Sequence, residues 1–125
     1  MITNNKARIG DYMTIAEQLG GNRFLAMTGS KFLYHGQDDN GYVYLVVKLA
    51  RNQSRSQYLK IQYNSMDLYD LEFFRIKRTQ NPEYKAIGLK IYDEEHITLK
   101  TFNNVYAEDL QEIFTQVTGM YTRLF

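Results

Sequence analysis

Tyr42, Tyr44, Lys48, Tyr58 and Lys60 fall at alternating positions of two strand-like segments, and Arg51 and Arg55 occupy the polar stretch between those segments. Side chains two apart on a strand share a face, so this spacing gathers rings and cations together. Aromatic faces interleaved with Lys or Arg hold single-stranded nucleic acid, with bases stacked on the rings and the phosphate backbone tracked by the cations. No acid lies between Asn40 and Met66 to oppose them. Arg75, Lys77 and Arg78 extend the patch if their strand runs beside it. The competing account is structural: Tyr is a good strand residue, and Lys and Arg keep an exposed sheet from associating.

Other chemistry is thinner. Asp70 followed by Glu83-Tyr-Lys85 has the order of a metal-dependent nuclease site, in which two carboxylates hold Mg²⁺ and a Lys positions the attacking water. Acid-x-Lys arises often by chance, and Glu83 directly after Pro82 is where turns place solvated charge. His35 and His96 are the two histidines, and neither is spaced to share a metal with a second ligand on its own element. Ser30, Ser54, Ser56 and Ser65 lack a nucleophile-elbow context, and Gly20-Gly21 and Gly29 do not join a strand to a helix as a phosphate-cradling loop does. No residue is assigned a catalytic role, and no metal or cofactor is expected.

Charge narrows the partners. A net charge of +1 excludes a strongly basic, histone-like binder. Its distribution is uneven: residues 40–91 carry nine bases against four acids, whereas residues 92–125 carry six acids against Lys100 and Arg123. The chain has 125 residues, 44% hydrophobic and 23% charged, the size and composition of one ordinary domain. With no Cys, thiol chemistry and disulfides are excluded and a cytoplasmic location is the default expectation. No run approaches the roughly 18 consecutive apolar residues of a membrane span, and the first residues lack a signal-peptide pattern.

The elements that must position these residues read as follows. Tyr12, Ile15, Ala16 and Leu19 predict a short helix capped by Asp11 and ended by Gly20-Gly21. Arg23–Thr28 and Lys31–His35 predict a pair of strands. Asn40-Gly41 predicts a turn before a strand from Tyr42, with Val43, Leu45, Val47 and Leu49 facing a core. Arg51–Ser56 is an exposed tip, Tyr58–Tyr63 a strand burying Leu59, Ile61 and Tyr63, and Leu68–Lys77 a further strand. Thr79–Pro82 predicts a turn, and Tyr84–Tyr92 with Ile97–Phe102 a last hairpin whose tip is Asp93–Glu95. After Asn103-Asn104 as a cap, an apolar stripe through Leu110, Ile113, Phe114 and Val117 predicts a helix ended by Gly119.

The expected fold is therefore α+β: an antiparallel sheet of about five to seven strands, with a short N-terminal helix and a longer C-terminal helix on one face. Residues 1–9 are expected to be a flexible N-terminus and 10–125 a single domain.

The segments Gln18–Gly29, Asn64–Asp70 and Val105–Leu124 resemble a group of small uncharacterised proteins of bacteriophages and other mobile elements, while residues 79–102 are longer and more divergent here. The resemblance implies a phage or mobile-element origin, hence a host-cell cytoplasm, and carries no catalytic residues.

These readings leave two functions from different classes. The first is a non-enzymatic accessory protein that contacts single-stranded or structured nucleic acid through Tyr42, Tyr44, Lys48, Arg51, Arg55, Tyr58, Lys60, Arg75, Lys77 and Arg78. The second is a protein-interaction or inhibitor module directed at a host protein, through the acidic face of the last helix or the tail Met120, Tyr121, Leu124 and Phe125. A homodimer is compatible with either, no membrane partner is expected, and a nuclease stands third.

Overall fold

Tyr12, Ile15, Ala16 and Leu19 recur at helical spacing, and in the computed structural model, which describes residues 12–122, they lie on a helix, α1, over 12–19. Ile15 and Leu19 are its fully buried residues. The helix stops at Gly20, whose φ of 119° is strained for any residue with a side chain. The chain does not then extend into a strand as expected. A second helix, α2 (Gly21–Thr28), begins at once. A six-residue apolar run is too short for periodicity to separate strand from helix, and the buried pair Phe24 and Thr28, four residues apart, has the helical spacing.

Five antiparallel strands follow: β1 (Lys31–Gln37), β2 (Val43–Lys48), β3 (Tyr58–Tyr63), β4 (Tyr69–Gln80) and β5 (Tyr92–Val105). They lie in the sheet in sequence order, an antiparallel meander in which every neighbour in space is a neighbour in sequence. Between β1 and β2 the Asp38 carboxylate accepts the N–H groups of Asn40 and Tyr42, and Gly41 takes the positive φ the turn needs.

The alternation expected for β2 and β3 holds except at Val46, which is buried although it faces away from the helices. Val43, Leu45, Val47 and Leu49 join Leu59, Ile61, Leu71 and Phe73 in one core, with Tyr63 packed against it. Ile15 and Leu19 of α1, Phe24 of α2, and Leu110 and Phe114 of the last helix complete that core from above. Phe24 meets Phe114 edge to face at 4.9 Å between centroids. Three helices thus cover one face of the sheet.

The C-terminal half departs from expectation in four places, the first being that Tyr84–Tyr92, expected as a strand, is helix and turn up to Ile91. The predicted turn Thr79–Pro82 is strand through Gln80, after which Asn81 caps a short helix, α3 (Pro82–Ala86), by accepting the N–H groups of Glu83 and Tyr84. Asp93–Glu95 is no hairpin tip. These residues stand in β5 opposite Thr79, Arg78 and Lys77, so a polar run that reads as a turn is one side of a charge-paired ladder. Asn103-Asn104 still belongs to β5, and the final helix, α4 (Leu110–Thr118), starts through a 3-10 turn at Ala107–Asp109 and ends at Gly119 as expected.

Strand lengths shape what is left. β3 pairs with β4 as far as Phe74, whereas β4 and β5 continue together from Arg75↔Ile97 to Gln80↔Tyr92. Past Phe74 the two strands run alone as an arm, tipped by α3 and the turn after it. The expected flexible segment 1–9, the Asp11 cap, Arg123, Leu124 and Phe125 lie outside the described residues. No described helix is long and apolar enough to cross a membrane.

Candidate nucleic-acid interface

With the helices on one side, the alternate residues of each strand form a second, helix-free face. Tyr44, Val46 and Lys48 of β2 stand beside Tyr58, Lys60 and Gln62 of β3, which stand beside Phe74, Glu72 and Asp70 of β4. Lys60 Nζ lies 4.6 Å from the centre of the Tyr44 ring, within cation–π reach. The Tyr44 ring itself lies over Gly36 of β1, where a Cβ would come within 2.5 Å of the phenol oxygen. Only glycine admits so close an approach. Tyr34 meets Tyr44 edge-on at 6.4 Å.

A second group of rings runs across the same face. Tyr58 stacks on Phe74 at 5.2 Å, and Phe74 stacks on His96 at 4.2 Å. His96 Nε2 is 2.6 Å from Glu72 Oε2, which also accepts the Thr98 hydroxyl at 2.6 Å. Burial pushes the Glu72 carboxyl up, but the Thr98 and His96 hydrogen bonds and the charges of His96 and Lys60 outweigh it and hold the group below the usual carboxylate value. The face is therefore less basic than its sequence. β4 sets Glu72 directly opposite Lys60.

The cations converge instead at one end, where β3 stops and the arm begins. Two adjoining hollows there share Leu49 and Gln57. One is lined by Arg51, Arg55 and Arg75, the other by Lys48, Tyr58 and Arg78, with Glu94 the acid in their walls. Gln57 closes the notch between them: its N–H donates to Phe74 O and its Oε1 accepts the Ile76 N–H at 2.9 Å.

The loop that brings Arg51 and Arg55 here is built rather than loose. Asn52 Nδ2 donates to the carbonyls of Ala50 and Ser56, each at 2.8 Å, and its Oδ1 accepts both the N–H and the hydroxyl of Ser54. Arg55 takes a left-handed φ of 62° to turn the chain. Gln53 anchors the loop to the end of α4, its N–H reaching Thr118 O and its side-chain amide Val117 O. A ligand would meet these cations with little ordering left to do.

Six of the ten residues singled out in the sequence thus line the notch: Lys48, Arg51, Arg55, Tyr58, Arg75 and Arg78. Tyr44 and Lys60 stand next along the helix-free face. Tyr42 precedes β2, with its ring beside Tyr63 at 6.2 Å, and so leaves the row of Tyr44 and Tyr58. Lys77 is out on the arm opposite Glu95. Arg78 is paired with Glu94 at 3.2 Å, a contact so exposed that solvent screens most of it.

The nuclease arrangement does not form. Asp70 is at the start of β4, and Glu83 and Lys85 are on α3 past its far end, a separation on the order of 30 Å at the rise of a strand. Asp70 accepts the Asn64 amide and the Asn104 N–H, a structural role at the strand end. No group of three metal-ligating side chains occurs among the described residues. His35 stacks on Tyr12 of α1 at 3.7 Å.

Reading the candidate face from sequence passed over Glu72, Phe74, His96 and Thr98. The signal for the first two was present, because alternation in Leu68–Lys77 places Asp70, Glu72 and Phe74 on one face. No protein-family profile, curated protein or solved structure matches the chain.

Proposed function

We propose that this protein is a non-enzymatic nucleic-acid-binding module, of phage or mobile-element origin as its resemblance implies, that takes a single-stranded segment across the notch and the helix-free face. The observation that carries the reading is the pair of hollows that flank Gln57 at one end of the sheet: Lys48, Tyr58 and Arg78 line the one on the helix-free side, and Arg51, Arg55 and Arg75 line the other, on the side of Leu49 and the end of α4. Planar guanidinium groups presented by an ordered loop suit phosphate oxygens. Tyr58 and Tyr44 offer rings to bases leaving that notch, and stacking is worth about 1–3 kcal/mol per base.

Fluorescence anisotropy of labelled single-stranded DNA, single-stranded RNA and duplex DNA at low and moderate salt tests the reading. Single strands are expected to bind, with affinity falling steeply as salt rises. Neutralising Lys48, Arg51, Arg55 and Arg75 together is expected to flatten the log–log salt slope by about 0.7 for each phosphate that is no longer neutralised. Absence of binding at low salt, or an unchanged slope in the fourfold variant, would overturn it. The host-protein module would then take its place, to be sought by pull-down from host lysate.

A further inference from the structure

Eight of the eleven exposed large hydrophobic side chains among the described residues fall in two clusters at opposite edges of the sheet. Tyr84, Ile87, Leu89, Ile91 and Tyr92 form the first, at the tip of the arm, with Ile87 70% exposed. The tip is an ordered knob. Leu89 N–H and Ile87 N–H both donate to Tyr84 O, Gly88 N–H to Lys85 O, and Asn81 N–H to Ile91 O. Yet every residue from 82 to 96 is exposed, so this structure buries none of them in its own chain. Apolar side chains held in order with nothing to cover them mark a contact surface.

Met13, Leu33 and Tyr34 form the second cluster, around a concavity of about 610 Å³ between α1 and the edge strand β1. Tyr12, Ala16 and Phe32 complete its mainly apolar lining. Leu33 stands at a register shift between β1 and β2, an irregularity that blunts the strand edge, so the groove is shaped for side-chain packing rather than strand addition.

We infer that the arm knob of one copy seats in the α1–β1 groove of a second copy, joining chains head to tail. One surface is convex and the other concave. The knob carries Lys85 and Lys90 against Glu83, a balance of +1, and among the described residues Glu17 is the one acid in the groove wall, so the net charges are of opposite sign. A molecule cannot satisfy its own pair, because β1 and the β4–β5 arm are at opposite edges of the sheet. Contact between two different patches is heterologous and leaves a free knob and a free groove at the ends, which propagates or closes into a ring. Eight exposed apolar side chains make a contact at the small end of specific interfaces, so the assembly is concentration-dependent. The inference does not rest on nucleic-acid binding, since neither patch includes a residue of the notch.

Sedimentation velocity of the full chain across the micromolar range tests it with two variants, Ile87→Asp with Leu89→Asp in the knob and Met13→Glu with Leu33→Asp in the groove. Circular dichroism confirms that each is folded. The unmodified protein is expected to exceed the mass of one copy as concentration rises, and each variant alone to remain a single copy. An equimolar mixture of the two variants is expected to recover a particle of two copies and no larger, because one supplies the intact knob and the other the intact groove. The inference is overturned if the unmodified protein stays a single copy, whatever else its knob then binds, or if the mixture fails to pair.

Discussion

Glu72 is ordinary in the sequence and becomes the pivot of the helix-free face once β4 sets it across from Lys60 and within reach of His96 and Thr98. Its carboxyl is held below the usual value, so it binds a proton more weakly in the folded chain than in the unfolded one. The stability it contributes is full above the unfolded carboxylate value of about 4.3 and is lost as pH falls through the lower folded value. Glu72→Gln is therefore expected to lower the melting temperature at neutral pH and to flatten its decline below about pH 4.3, read from thermal melts by circular dichroism across that range. Gly36 sets a second residue-scale constraint. Gly36→Ala is expected to expel the Tyr44 ring from its seat and weaken single-strand binding as much as Tyr44→Ala does, with anisotropy as the readout. Strand parity made Glu72 and Phe74 legible as a facing pair. What remained out of reach was the partner across the sheet, since the register that joins Glu72 to His96 depends on strand ends that sequence locates only to within a few residues.

At the scale of the element, the loop after β2 and the arm carry separable consequences. Asn52→Ala removes four hydrogen bonds from the loop and is expected to cost about 1–2 kcal/mol in a urea melt while loosening Arg51 and Arg55 in the notch. Replacing residues 79–93 with an Asn-Gly turn is expected to leave the melting temperature nearly unchanged, because the arm beyond that point buries nothing, and to abolish head-to-tail assembly in the same sedimentation experiment. The strands β2 and β3 were readable because alternation, turn residues and a polar tip agreed. Around α2 and the arm the same cues were ambiguous: Arg23–Thr28 is short and apolar, and Asp93–Glu95 looks like a turn until Arg78 and Lys77 face it. Where a segment's cross-strand partner decides its conformation, local composition misleads.

For the whole molecule, a net charge of +1 conceals a local basic patch, because Lys48, Arg51, Arg55, Arg75 and Arg78 line the notch while the acids are spread over the helices, the helix-free face and the arm. The core depends on the last helix. Phe114→Ala, at a fully buried ring in contact with Phe24, is expected to destabilise the fold by about 3–5 kcal/mol in chemical denaturation. That dependence has a consequence for synthesis. A meander of neighbouring strands has few long-range closures, so its hairpins can form as the chain leaves the ribosome. Phe114 follows Phe24 by ninety residues, and Gln111 bonds the Gln18 carbonyl from as far away. Until α4 emerges, the apolar side of the finished sheet has only α1 and α2 to shelter it. A chain that lacks α4 would thus leave that apolar side half covered and open to chaperones and proteases.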